Sequence, residues 1–170
     1  PTYKQVDFSA GEFDQHSNRF YSTFELENES HPSNAEHRAL IIGTGGLRLG
    51  NAGASDYFTS KLILSLQKQN YETVLVNNNP SAVSMNLADK LYTEPLEAPD
   101  ILEVISIEKP EIVYVPGSRS RLITILEQKD LKVEKLPQNG QLLSHLASGK
   151  EYALTMIYDG TNAVSLDLTS

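Results

Sequence analysis

Apolar residues in this chain fall into short runs separated by longer amphipathic stretches. "ALII" (Ala39–Ile42) is four consecutive apolar residues ended by Gly43, the pattern of a strand buried on both faces. The spacing of Tyr57, Ile63, Leu64 and Leu66 predicts a helix over Asp56–Gln69. "YETVLVNNNP" then gives a β-rich run stopped by three asparagines and Pro80. "DKLYTEP" predicts a third strand, and Pro99-Asp100 opens a helix through Glu108 that Pro110 stops. "EIVYVPG" predicts a fourth strand, Arg121–Gln128 a helix, "LKVEKL" a fifth strand, and "GQLLSHLAS" a last helix closed by Gly149. Strands alternating with helices of about ten residues mean βαβ units and a parallel sheet.

The two ends break this rhythm. The first 38 residues are polar and aromatic-rich without sustained periodicity. They predict an extended arm, draped over the body by Phe13, Phe20, Tyr21 and Phe24. At the other end, "EYALTMIY" and "AVSLDLTS" flank Asp159-Gly160, a strong hairpin signal. Three parts result: an arm over 1–38, an α/β body over 39–137, and a helix plus hairpin over 138–170.

Composition narrows the function classes. The chain has 170 residues, 39% hydrophobic and 21% charged, with a formal net charge of −8. That acidic balance argues against nucleic acid or an anionic membrane as partner. With no cysteine, thiolate catalysis and disulfides are excluded. No run approaches the roughly 18 apolar residues of a membrane span, and no basic region followed by an apolar core opens the chain. The expectation is a cytoplasmic protein. Pro1 in place of an initiating methionine gives the further expectation of a segment from something longer.

The chemistry is concentrated in "GTGGLRLGNAGASD" (Gly43–Asp56). A glycine turn between a parallel strand and a helix presents backbone N–H groups to anions. A dinucleotide fingerprint needs glycines at its first, third and sixth positions, which here are Gly43, Gly45 and Arg48. Arginine at the sixth cannot allow close helix–strand packing. The acidic ribose ligand is also missing, since the second strand ends in Asn77, Asn78 and Asn79, and no Walker lysine-plus-hydroxyl pair is present. Nicotinamide and flavin dinucleotides are therefore disfavoured. His16, His31, His37 and His145 lack metal spacing, and Ser118 lacks the G-x-S-x-G elbow, so no catalytic residue and no metal ligand is assigned. Arg119 and Arg121, near a strand's carboxyl end, are candidates either to hold an anion or to be solvated or salt-bridged. Asn77 and Asn79 could line the same crevice, with Gly43, Gly45 and Gly46 completing it.

The residues resemble the large subunit of carbamoyl-phosphate synthetase, in the domain that precedes its second ATP-grasp unit. Gly43, Gly45, Arg48, Gly50, Asp56 and Tyr57 match its loop in register. "NYETVLVNNNPSAVSM", "DKLYTEPL" and "DILEVISIEKPEIVYV" are similar to three further blocks, and "YKQVDFSAGEFDQHSNRFYSTF" to the connector upstream. The resemblance runs from Tyr3 to Pro137. It implies a three-layer, Rossmann-like pre-ATP-grasp domain with a largely parallel sheet, an N-terminal extended arm and a C-terminal β-hairpin. Within it, Arg48 and Asp56 are expected to be structural, Arg48 bonding backbone carbonyls or a carboxylate such as Asp56.

Departures fall on polar positions. The family's loop proline is Gly46, its glutamine Asn51, and its glutamate and phenylalanine are Ala54 and Ser55. Its Gly-Gly-Gln-Thr turn is replaced by "PGSRSR". The resemblance implies ATP-driven carbamoyl phosphate synthesis from bicarbonate and ammonia, feeding pyrimidine or arginine synthesis. ATP and magnesium would be held by an ATP-grasp domain of the same or a parent chain, with no cofactor in this segment, which would act as a non-catalytic scaffold. The terminal hairpin is read either as a plain edge hairpin or as one hairpin of such a unit. Self-association is left open. The rival reading is a self-contained, degenerate binding or interaction module without ligase activity.

Overall fold

The computed structural model describes residues 1–7, 17–45, 52–116, 119–136, 153–158 and 163–169, with 52–55, 136 and the last two stretches described by backbone alone. The elements run β1 (Thr2–Gln5), β2 (Arg19–Thr23), β3 (Arg38–Ile42), α1 (Ala52–Lys68), β4 (Glu72–Asn77), a 3₁₀ turn (Val83–Asn86), β5 (Lys90–Thr93), α2 (Ala98–Glu108), β6 (Ile112–Pro116), α3 (Ser120–Glu127), β7 (Val133–Leu136), β8 (Ala153–Tyr158) and β9 (Ala163–Thr169). Every strand and helix expected between Ala39 and Leu136 is present. The last expected helix, "GQLLSHLAS", lies outside the described residues. β8 and β9 pair antiparallel, with a register shift between Thr155 and Met156.

The main sheet has the order β1-β2-β5-β4-β3-β6-β7. All its pairings are parallel except β1 with β2. The chain steps outward from β3 to β4 to β5, then crosses back over β3 to β6. Right-handed crossovers put the connections before and after that reversal on opposite faces. Strand alternation fills both faces. Leu40, Ile42, Val74, Val76, Val113 and Val115 pack with Ile101, Val104, Leu122 and Leu126 of α2 and α3. Ala39, Ile41, Leu75 and Leu91 pack with Ile63 and Leu66 of α1 and Met85 of the 3₁₀ turn. Because both faces are covered, β3 is buried at all five positions. That is the physical origin of its unbroken apolar run.

The N-terminal arm is extended, as expected, but it is held differently. It contributes two strands: β2 joins the sheet parallel to β5, with Phe20 opposite Tyr92, and β1 forms the edge. Phe20 stacks on Tyr92 at 5.5 Å between ring centroids, and Tyr3 meets the same ring edge-on at 5.1 Å. Tyr3 and Phe20 are buried, whereas Tyr21 is 41% exposed and Phe24 102%. Tyr21 and Phe24 are thus not anchors, and Tyr3 is. The reason is strand alternation: Phe20 points to the core, so Tyr21 points away. Phe24 lies beyond the end of β2. Phe13 lies outside the described residues.

A buried polar cluster closes the amino-terminal end of the sheet. The Glu108 carboxylate, fully buried at the end of α2, accepts hydrogen bonds from the Lys90 ammonium and the Tyr92 hydroxyl. Arg38 donates to the Glu108 carbonyl, the Glu72 carboxylate and the Ser33 carbonyl, the last at 3.0 Å. Lys90 also donates to the His31 carbonyl at 2.7 Å. Residues 31–33 are thereby fastened to β3, β5 and α2. Burial, with the Glu108 charge beside it, holds the Tyr92 hydroxyl well above the usual tyrosine range.

The crevice at the strand ends

The reversal in strand order lies between β3 and β6, and the loops that follow these strands face each other there. In open α/β sheets this crevice, at the carboxyl ends of the strands, is where ligands bind. Gly43 begins the loop after β3, its N–H bonded to the Val76 carbonyl at 2.8 Å. A Cβ on Gly43 would stand 2.5 Å from Cγ of Asn77. Gly45 has φ +86, and a Cβ there would lie 3.4 Å from both Nη2 of Arg119 and Oδ1 of Asn78. At Gly43 the loop backbone lies too close to Asn77 for any Cβ, and at Gly45 the positive φ is what favours glycine beside Arg119.

Asn77 is fully buried. Its carbonyl accepts from the Glu94 N–H at 3.3 Å and its Oδ1 from the Asn79 N–H at 3.3 Å. Its Nδ2 has no hydrogen-bond partner. Arg119 Nη1 donates to the Leu96 carbonyl at 3.0 Å, tying the loop after β6 to the loop after β5. Beside this tie is a cleft of about 380 Å³ lined by residues 96–99, by 119–122 and by Ile125. The first turns of α2 and α3 both border it.

The structure thus gathers Gly43, Gly45, Asn77 and Arg119 at one crevice, with Arg121 on the adjoining cleft. Asn79 serves a turn instead: its Oδ1 accepts from the Ser81 N–H at 3.1 Å and its carbonyl from the Ala82 N–H at 3.2 Å. Asp56, on α1, caps the 3₁₀ turn, accepting from the N–H groups of Val83 (2.8 Å) and Ser84 (3.3 Å) and from the Ser84 hydroxyl. Gly46 and Arg48 lie outside the described residues. Sequence reasoning had not singled out Leu96, Ala98 or Ser120. The signal for Leu96 was its place in the short loop between β5 and α2, at the same end of the sheet as Gly43.

Glu94, also just after β5, is 2% exposed and accepts from the Ser22 N–H of β2. Burial raises its carboxyl above the ordinary value of 4.5, opposed by the Ser22 hydrogen bonds and reinforced by Asp100 and Glu103. Among the described residues no group of three or more His, Asp or Glu could hold a metal ion, and no helix is long and apolar enough to cross a membrane. Among the described residues, the charged groups lining the cleft are two guanidiniums and the exposed Glu97. That donor set suits an oxyanion and does not suit magnesium.

A parallel sheet in this order, with a glycine turn leading from its first core strand toward a helix, defines a Rossmann-like α/β domain. Residues 35–140 match the carbamoyl phosphate synthase preATP-grasp domain, and the chain belongs to that family. Among solved structures, it is similar to the ADP complex of N5-carboxyaminoimidazole ribonucleotide synthetase, with a TM-score of 0.44 and 16% identity over 61% of this chain. The chain spans 24% of that protein's length.

Proposed function

We propose that this chain is the pre-ATP-grasp unit of an ATP-dependent ligase of the carbamoyl-phosphate synthetase type. It supplies one wall of the active site as a non-catalytic scaffold. The observation that carries this reading is the family match over residues 35–140, which spans β3 to β7 and hence the whole crevice. An ATP-grasp domain of the same or a parent chain would sit over the strand ends. It would provide the acidic metal ligands and cationic clamps that phosphoryl transfer from ATP requires. Magnesium would belong to that neighbour, because the described residues at this crevice fit an oxyanion and not a cation, and the family resemblance assigns ATP to the same neighbour. The chain's own part is to fix loop positions: Gly43 and Gly45 hold the loop after β3, and Arg119 locks the loop after β6 against the loop after β5. The reaction would be carbamoyl phosphate formation from bicarbonate and ammonia in the cytoplasm.

A second reading is favoured by the turn after β6. "PGSRSR" stands where the family has Gly-Gly-Gln-Thr, which fits a binding module that has lost ligase chemistry. One assay separates the two. Bicarbonate-dependent ATP hydrolysis is measured on the 170-residue chain and on the complete natural gene product. The first reading expects no turnover from the chain alone and magnesium-dependent turnover from a product that carries an ATP-grasp unit. No turnover from the complete product establishes the second.

A further inference from the structure

Acidic and apolar side chains change places in the segment that follows β2. Its backbone is fastened along β1: the Thr2 hydroxyl donates to the Glu25 carbonyl at 2.7 Å, the Tyr3 N–H to Oδ1 of Asn28 at 3.0 Å, and the Glu29 N–H to the Tyr3 carbonyl at 2.8 Å. Glu25, Glu27 and Glu29 all reach the Lys4 ammonium, at 3.4, 3.7 and 3.0 Å. Alternate residues of an extended segment share one side, so Phe24 and Leu26 point the other way, and both are fully exposed. Several carboxylates around one ammonium leave the segment negative. A second group of exposed apolar side chains lies on α1. Tyr57, Lys61, Leu64 and Lys68 are all exposed and follow at helical spacing, opposite the face that buries Ile63 and Leu66 against the sheet. The Lys61 ammonium stands 5.4 Å from the Tyr57 ring centroid. Among the described residues, no carboxylate lies within ion-pair distance of Lys61 or Lys68.

We propose that these two surfaces bind each other between copies of this chain: Phe24 and Leu26 of one copy seat against Tyr57 and Leu64 of a second, and Glu25 and Glu27 meet Lys61 and Lys68. Each surface alternates apolar and charged side chains, Phe-Glu-Leu-Glu on the arm and Tyr-Lys-Leu-Lys along α1, with opposite charge signs. Burial of the apolar side chains supplies the attraction. The opposite charges set the register and keep like surfaces apart. That complementarity is needed in a chain of net charge −8, whose copies otherwise repel. The acidic, apolar arm fits a basic, apolar receptor, and α1 is the exposed face among the described residues where lysines alternate with large apolar side chains. Because β1 already holds the backbone of residues 25–29, little further ordering opposes the contact.

The test is sedimentation velocity of the 170-residue chain from about 10 μM to 1 mM, the range in which a small interface associates. The weight-average mass should rise reversibly above that of the monomer. Phe24→Ala and Lys61→Glu should each weaken the association about tenfold. Lys129→Glu, the same charge change beyond α3, should leave it unchanged, and matching thermal melts establish that the variants stay folded. Glu27→Lys should also weaken it. An equimolar mixture of Glu27→Lys and Lys61→Glu should then associate more tightly than either variant alone, because the native arm of one copy meets the native α1 of the other. The idea is overturned if the chain stays monomeric throughout, which would leave both surfaces to a different partner. It is equally overturned if Phe24→Ala or Lys61→Glu associates as the native chain does, or if the mixture is no tighter than its components. No ATP-grasp partner is needed for the measurement, so its failure leaves the proposed reaction untouched, and the converse holds.

Discussion

Gly43 and Asn77 occupy space that only a glycine and a buried amide can share. A Cβ on Gly43 would lie 2.5 Å from Cγ and 2.7 Å from Nδ2 of Asn77. Asn77 cannot yield easily, since its Oδ1 organises the turn through the Asn79 N–H. Gly43→Ala is therefore expected to destabilise by about 1–3 kcal/mol through overpacking. Pairing it with Asn77→Ala should recover part of that loss. Denaturant melts of the two single variants and the double variant check the coupling, and simple additivity would contradict it.

Glu108 and Lys90 form the centre of the buried polar cluster. Removing Glu108 leaves Lys90 buried without a carboxylate partner, and removing Lys90 leaves Glu108 with Arg38 at 3.6 Å as its nearest cation. Glu108→Leu or Lys90→Met alone should cost about 3–5 kcal/mol, whereas the double variant should be closer to the native protein than either. Equilibrium urea unfolding measures all three. A double variant less stable than both single ones would mean that the cluster is held mainly by Arg38 and Tyr92.

The buried Glu94 predicts a pH dependence with a definite sign. Its carboxyl titrates above the ordinary 4.5 because burial penalises the charged form. The stability it contributes is complete below 4.5 and is lost as pH rises through its folded value. Glu94→Gln keeps an oxygen for the Ser22 N–H but cannot ionise. Thermal melts from pH 4 upward should show the Gln variant gaining on the native protein as pH increases. A gap that narrows with rising pH would reverse the assignment.

Anchoring of the arm distinguishes Tyr3 from Phe24. Tyr3 is wholly buried against Tyr92, and Tyr3→Ala is expected to cost about 3 kcal/mol or more. Phe24 is fully exposed, and Phe24→Ala should change stability by no more than about 0.5 kcal/mol. Deleting residues 1–24 should lower the melting temperature and uncover the Tyr92 face, detectable by binding of an apolar dye. An unchanged melting temperature would show that β1 and β2 add nothing to the body.

Much of the fold was legible in the order of residues. The unbroken apolar runs at 39–42 and 74–76, each followed by glycine or asparagine, identify doubly covered strands. The helical spacings between them fix parallel crossovers. The family blocks carry the same information. The arm was legible as extended, yet Tyr3 was passed over and Phe24 overvalued. Four- and five-residue strands carry too little periodicity to reveal which side faces inward; their pairing with β5 decides that. At the crevice, the glycine turn and Arg119 were visible as candidates because strand ends and turns leave local signatures. Leu96 and the uncapped first turn of α2 were not, since nothing in "TEPLEAPD" records that it meets residues 119–122 across the sheet.

The sequence alone thus determined the element order, the parallel sheet and the family, because each depends on contacts between residues close in the chain or on blocks with fixed spacing. Tertiary structure alone decided the burial of Tyr3, the pairing of Lys90 with Glu108, and the meeting of residues 96–99 with 119–122. Each of these joins segments 18 or more residues apart, and only the crossover from β5 over β3 to β6, with β2 added beside β5, brings them within reach.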